Sequence, residues 1–182
     1  RMVFFQITVK DSQGNAVFKS GDRDPNGDLR ERYSRYVRAG EMEYDKQLFN
    51  LESHFMARTF WGGERTQLRF IPFSAAVLPF VRPPTNPTAI HMRAEITRSL
   101  KNSIEPGGYR WAEYAVDPDL LKPGETYTVE MKLIAQPMPA FFIHVNAGVG
   151  LDYNFSLREL TQRMVDISMN LWETTETVKI EE

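Results

Sequence analysis

Strict alternation of apolar and polar side chains is the feature that most restricts the fold. Tyr127, Val129, Met131 and Leu133 alternate with Thr128, Glu130 and Lys132. Ile90, Met92, Ala94 and Ile96 alternate in the same way with His91, Arg93, Glu95 and Thr97. A β-strand turns successive side chains to opposite faces, so a period of two marks a half-buried strand. Strands are therefore expected over Ala89–Leu100 and Thr126–Ile134. The β-branched and aromatic run Met2–Lys10 is followed by Asp11-Ser12-Gln13-Gly14-Asn15 and a second extended run, Ala16–Lys19. That order predicts a hairpin. Further strands are expected at Leu51–Phe60 and Thr66–Phe73, on either side of Gly62-Gly63, and at Arg110–Val116. Asp117-Pro118-Asp119 and Lys122-Pro123-Gly124-Glu125 supply turn chemistry after the last of these. Pro79, Pro83, Pro84 and Pro87 make their stretch extended and irregular. Leu29–Asn50 is charged and aromatic, with weak periodicity, and reads as loop with short helical turns.

The pattern changes after Pro139. Ala140–Val149 reads as a short helix. Ser156-Leu157-Arg158-Glu159 is a capping box, in which hydroxyl and carboxylate satisfy free amides at a helix start. Leu157, Leu160, Met164, Ile167 and Leu171 then form one apolar stripe, predicting a helix of about four turns with Trp172 near its end. Val178–Ile180 reads as a last edge strand. The fold class expected is mainly β: an antiparallel β-sandwich with one or two packed helices near the C-terminus. Residues 1–135 are expected to form the sandwich core, with an irregular insertion at about 21–50, and residues 136–182 a helical extension packed on it.

Composition excludes several chemistries. The chain has 182 residues, 42% of them hydrophobic and 12% aromatic, enough for a sizeable core. Its net charge is −2, with Lys and Arg scattered among acids, so no basic face for nucleic acid stands out. The absence of cysteine removes disulfides, thiol catalysis, cysteine zinc sites and the C-x-x-C-H haem attachment motif. No window is apolar and long enough to span a bilayer. The chain opens at Arg1 without a signal peptide, and we expect it to be a piece of a longer precursor.

Candidate sites are few. Asp22, Asp24, Asn26 and Asp28 place side-chain oxygens at alternate positions around Gly27, as a calcium loop requires. Tyr33 stands where such a loop would close with a bidentate glutamate, and aspartate with glycine also builds plain turns. His54, His91 and His144 lack metal-site spacing, but a neutral imidazole can reach a haem iron held by a neighbouring segment. Arg65, Arg69 and Arg82 are candidates for binding haem propionates through charge-assisted hydrogen bonds. Trp61, Tyr109 and Trp111 either pack the core or line a carbohydrate-binding face. There is no G-x-S-x-G elbow and no phosphate-cradling loop. No independent active site is visible, and a role within an enzyme would be as a non-catalytic part of an oxidoreductase complex.

An ordered set of segments resembles a known family. Thr8–Gly21, Asn26-Gly27-Asp28-Leu29, Asp45–Leu51, Gly63-Glu64-Arg65, Leu78–Pro83 and Gly150–Ser156, leading to Leu171-Trp172-Glu173, are similar to a β-rich domain of large multihaem c-type cytochromes. In that family the domain lies C-terminal to a run of C-x-x-C-H motifs. The resemblance implies a periplasmic or extracellular, haem-free structural or interaction domain of an electron-transfer complex. Haem c would sit on an attached segment or a partner polypeptide, and a homo-oligomer is a further option. The alternative reading of the residues is a carbohydrate-binding or adhesion β-sandwich module, stabilised by calcium at Asp22, Asp24, Asn26 and Asp28.

Overall fold

The computed structural model describes residues 2–51, 54–58, 64–66, 97–100, 102–148 and 154–181. Its strands are β1 (Met2–Lys10), β2 (Ala16–Ser20), β3 (His54–Arg58), β4 (Glu64–Thr66), β5 (Thr97–Leu100), β6 (Thr126–Gln136) and β7 (Met169–Lys179). The helices are α1 (Arg35–Ala39), α2 (Ala140–Gly148) and α3 (Leu157–Asp166). The strands form two antiparallel sheets, one ordered β2-β1-β6-β7 and one ordered β4-β3-β5. Among the described residues no helix is long and apolar enough to cross a membrane.

The expected hairpin forms β1 and β2. Asp11 organises its turn, its carboxylate accepting the amides of Gln13 at 2.9 Å and Asn15 at 2.8 Å. β1 then pairs with β6 along its whole length, from Met2 opposite Gln136 to Lys10 opposite Thr128. Directly opposed residues share a face of the sheet. Phe5, Leu133 and Trp172 therefore lie in one row, with Ile7 and Met131 in the next and Val9 and Val129 in the third. That face is apolar. The other carries Phe4 and Ile134 at one end and the ion pairs Lys10–Glu130 and Lys132–Glu173 along the rest. Met2, Phe4, Leu29 and Ile134 form a buried cluster flanked by Leu48. Beyond the end of β2, residues 49–51 take over the β1 edge. Phe5 N–H donates to Phe49 C=O at 3.0 Å, and Leu51 N–H to Val3 C=O at 2.8 Å.

The capping box is present at α3. The Ser156 hydroxyl accepts the Glu159 amide, and the Glu159 carboxylate accepts the Ser156 amide. α3 is shorter than its stripe predicts. It ends at Asp166, and Leu171 and Trp172 lie on β7. The cause is the β-branched run Thr174, Thr175, Thr177 and Val178, which favours a strand and pulls the chain back into the sheet beside β6. The stretch after residue 135 is thus two helices followed by an edge strand. Val178 belongs to that strand, which begins well before the expected last edge strand.

Arg110–Val116 is not a strand, contrary to expectation. The Gln47 side chain takes the part of a neighbouring strand there. Its amide nitrogen donates to Ala115 C=O at 2.8 Å, and its oxygen accepts the Ala115 N–H at 2.6 Å. Tyr114 lies against the apolar face of the sheet, stacked on Phe5 and edge-on to Phe18. β3 lies within the expected strand Leu51–Phe60 and β5 within Ala89–Leu100, whereas β4 shares only Thr66 with the expected strand Thr66–Phe73 among the described residues. Their remaining parts, with the proline-rich stretch, lie outside them.

Gly21 closes β2 at a positive φ of 74°, its amide donating to the buried Asp45 carboxylate. A Cβ at Gly21 would stand 2.2 Å from the Phe5 carbonyl oxygen, whereas one at Gly14, also at positive φ, would meet nothing within 4 Å. Gly14→Ala should cost only the left-handed strain, about 1 kcal/mol. Gly21→Ala should cost about 3 kcal/mol or more, because backbone must move. Urea denaturation of both variants measures the gap, and equal losses would contradict it.

Candidate functional site

The acidic loop at residues 22–28 folds as a tight arch, closed where Arg23 and Leu29 pair as an isolated bridge. Asp24 organises it from inside. One carboxylate oxygen accepts the amides of Asn26 at 2.8 Å and Asp28 at 3.0 Å, and the other accepts the Ser34 hydroxyl at 2.6 Å. The Ser34 hydroxyl in turn accepts the Val37 amide and caps α1. Asp22 is held by Arg30 Nε at 2.7 Å. Gly27 turns at φ 83°, and a Cβ there would come within 3.0 Å of Thr161 and Val165 on α3. The alternate oxygens predicted for calcium are thus largely taken by the chain's own donors. Among the described residues no three or more His, Asp or Glu side chains are arranged to hold a metal ion.

Asp28 differs from its neighbours. It is 5% exposed and accepts the Phe141 amide in the first turn of α2, while its Oδ1 is buried without a hydrogen-bond partner. Burial, reinforced by the Asp24 charge, pushes its carboxyl up to about 7 against the opposing Phe141 hydrogen bond. Burial also pushes Glu31 up to about 7, partly offset by Arg32. His144 stands on α2, half-buried, with Nε2 3.5 Å from Thr161 Oγ1 on α3. Burial and then Arg35 pull its imidazole below the ordinary range, against the pull of Asp24. Tyr33 stacks on Phe141 at 4.0 Å between ring centroids. Loop, α2 and α3 therefore meet around a polar cluster in which burial shifts Asp28, Glu31 and His144 toward their neutral forms.

His54 lies on β3 and Arg65 on β4. His91, Arg69, Arg82 and Trp61 fall outside the described residues. Arg23, which is not among the predicted ligands, ties separate parts of the fold together. Its guanidinium lies 5.2 Å from the Phe4 ring centre and donates to Gln136 at 3.2 Å and Ser168 at 3.3 Å. Only its place inside a charged run could have hinted at this.

Tyr109 and Trp111 stand out on the surface, 78% and 77% exposed. They sit on an arch whose two feet are gripped by residues 47–50. Asn102 donates to the Asn50 carbonyl at one end, and Gln47 holds Ala115 at the other. The arch borders an open depression of about 620 Å³, lined by Ser103, Ile104, Glu105, Pro106 and Arg110 among others. The two rings meet edge to face, 5.8 Å apart at 76°. They form a corner, not the flat platform on which successive sugar rings would stack.

No family model matches this chain, and no curated protein or solved structure matches it.

The raised carboxyls set the direction of a pH dependence. A folded-state pKa above the ordinary value stabilises the fold fully below the usual carboxylate range, and that stability is lost as pH rises through about 7. Unfolding free energy should therefore be higher at pH 5 than at pH 8. Asp28→Asn keeps an oxygen for the Phe141 amide and removes the charge. It should add about 1–3 kcal/mol at pH 8 and flatten the profile. Denaturant titrations at the two pH values decide this, and a variant less stable at pH 8 would refute it.

Proposed function

We propose that this chain is a haem-free structural and interaction domain of a periplasmic or extracellular multihaem cytochrome c electron-transfer complex, its two sheets arranged as a β-sandwich. The haem c groups belong to an attached segment or a partner polypeptide, since the chain has no cysteine to carry a thioether link. Its part is to cover haem edges and exclude water, both of which tune haem potential.

The observation that carries the reading is the exposed triplet Tyr109-Arg110-Trp111. Trp, Tyr and Arg are the residues that dominate binding energy at protein interfaces. Serine and glycine around rigid aromatics add adaptable hydrogen bonding, as in binding loops generally. Left in water, the two rings contribute nothing to the domain's own core. The family resemblance supplies the identity of the partner.

The native complex, isolated through this domain, should carry a haem Soret band. Trp111→Ala and Tyr109→Ala should each weaken binding to the haem-bearing partner at least about tenfold, leaving the domain's thermal unfolding unchanged. A native complex without haem absorbance, or binding indifferent to both substitutions, would overturn the reading. Oligosaccharide binding on a glycan array, abolished by the same substitutions, would establish the carbohydrate alternative in its place.

A further inference from the structure

β7 is the outermost strand of its sheet and has a strand on one side only among the described residues. Its other edge presents backbone amides and carbonyls, and every residue except Thr174 is exposed. Folded proteins usually blunt such edges with short strands, proline or lysine. β7 runs for eleven residues and contains no proline; its bulge lies near one end, at Leu171, and its charges are Glu173, Glu176 and Lys179.

We infer that this edge pairs with β7 of a second copy of the chain, antiparallel, with Thr175 on the two-fold axis. A two-fold interface is self-complementary: when one residue faces another, the reverse contact also occurs. Parity narrows the register first. Trp172 and Val178 share the apolar face with Leu133 and Tyr127, with Thr174 and Glu176 between them, whereas Glu173, Thr175 and Thr177 share the polar one. A slip of one residue would join the apolar face of one copy to the polar face of the other. Only registers that centre on a residue keep both faces continuous.

Three such centres lie in the middle of the strand. With Glu176 on the axis, two carboxylates face each other. With Thr174 on the axis, Trp172 faces Glu176 and Val178 faces Asn170. With Thr175 on the axis, Thr175 meets Thr175, Thr174 meets Glu176, Glu173 meets Thr177, and Trp172 meets Val178 twice. No like charges are opposed, and aromatic–β-branched and Thr–Thr pairs are favoured cross-strand partners. The product is a continuous eight-stranded sheet, two copies of the four-stranded one.

Sedimentation of the isolated chain over a range of concentrations tests this, with Thr175→Asp and Thr175→Lys as variants. Thr175 is exposed, so both should keep the parent circular dichroism spectrum. The parent should dimerise reversibly. Each variant alone sets two like charges across the axis and should weaken the dimer at least tenfold, and an equimolar mixture should restore it. A parent monomeric at every concentration, a dimer unaffected by either variant, or a mixture that stays monomeric would each overturn the inference. None of these outcomes bears on the Tyr109–Trp111 surface, which is scored separately by haem binding.

Discussion

β1 and β6 run side by side without a break from Met2 to Lys10, and the Lys10–Glu130 ion pair along this seam joins residues 120 apart in sequence. The rest of the four-stranded sheet depends on that seam. β2 and residues 49–51 share the outer edge of β1, and β7 lies along the outer edge of β6. Phe4 and Ile134, opposite each other across the seam, are half of the buried cluster. Pairing of this range must close a long loop before any contact repays the lost entropy.

Local chemistry was the legible part of the fold. The Asp11–Asn15 turn, the Ser156–Glu159 capping box and the alternation of β6 each act within a few residues, and each has the form its pattern predicts. The failures lie where tertiary context outweighs pattern. Ile167 and Leu171 continue a helical spacing, yet the threonine-rich run behind them is claimed by β6. Arg110–Val116 has the composition of a strand, but among the described residues its backbone pairs with a side chain, Gln47, and no periodicity announces that. The sheet order was likewise hidden, because nothing local identifies which strands become neighbours.

The candidate site was legible as composition and not as geometry. Alternate oxygens at residues 22–28 suit a cation loop and a self-bonded turn equally. In the fold, Ser34, Arg30 and the amides of the loop itself bond to Asp24 and Asp22. Asp28 acquires its character only because the fold buries it beside Asp24, against the opposing pull of an amide from α2, more than a hundred residues later. Arg23 reads as one more surface charge until the fold lays it over Phe4. Exposure of Tyr109 and Trp111 depends on what does not cover them, and a sequence carries no direct record of that.

The gripping of both ends of the aromatic arch by residues 47–50 has a thermodynamic consequence. A free loop carrying two large rings must surrender its conformational freedom at the moment of association, and that loss is subtracted from affinity. Here Gln47 and Asn102 restrict the arch during folding, at the same stroke that seats residues 49–51 against β1. That part of the entropy is spent once, by the fold, and on the proposed reading a partner would meet a backbone already held at both feet. The cohesion of the sheet and the tightness of whatever docks on the arch are thereby drawn from one source.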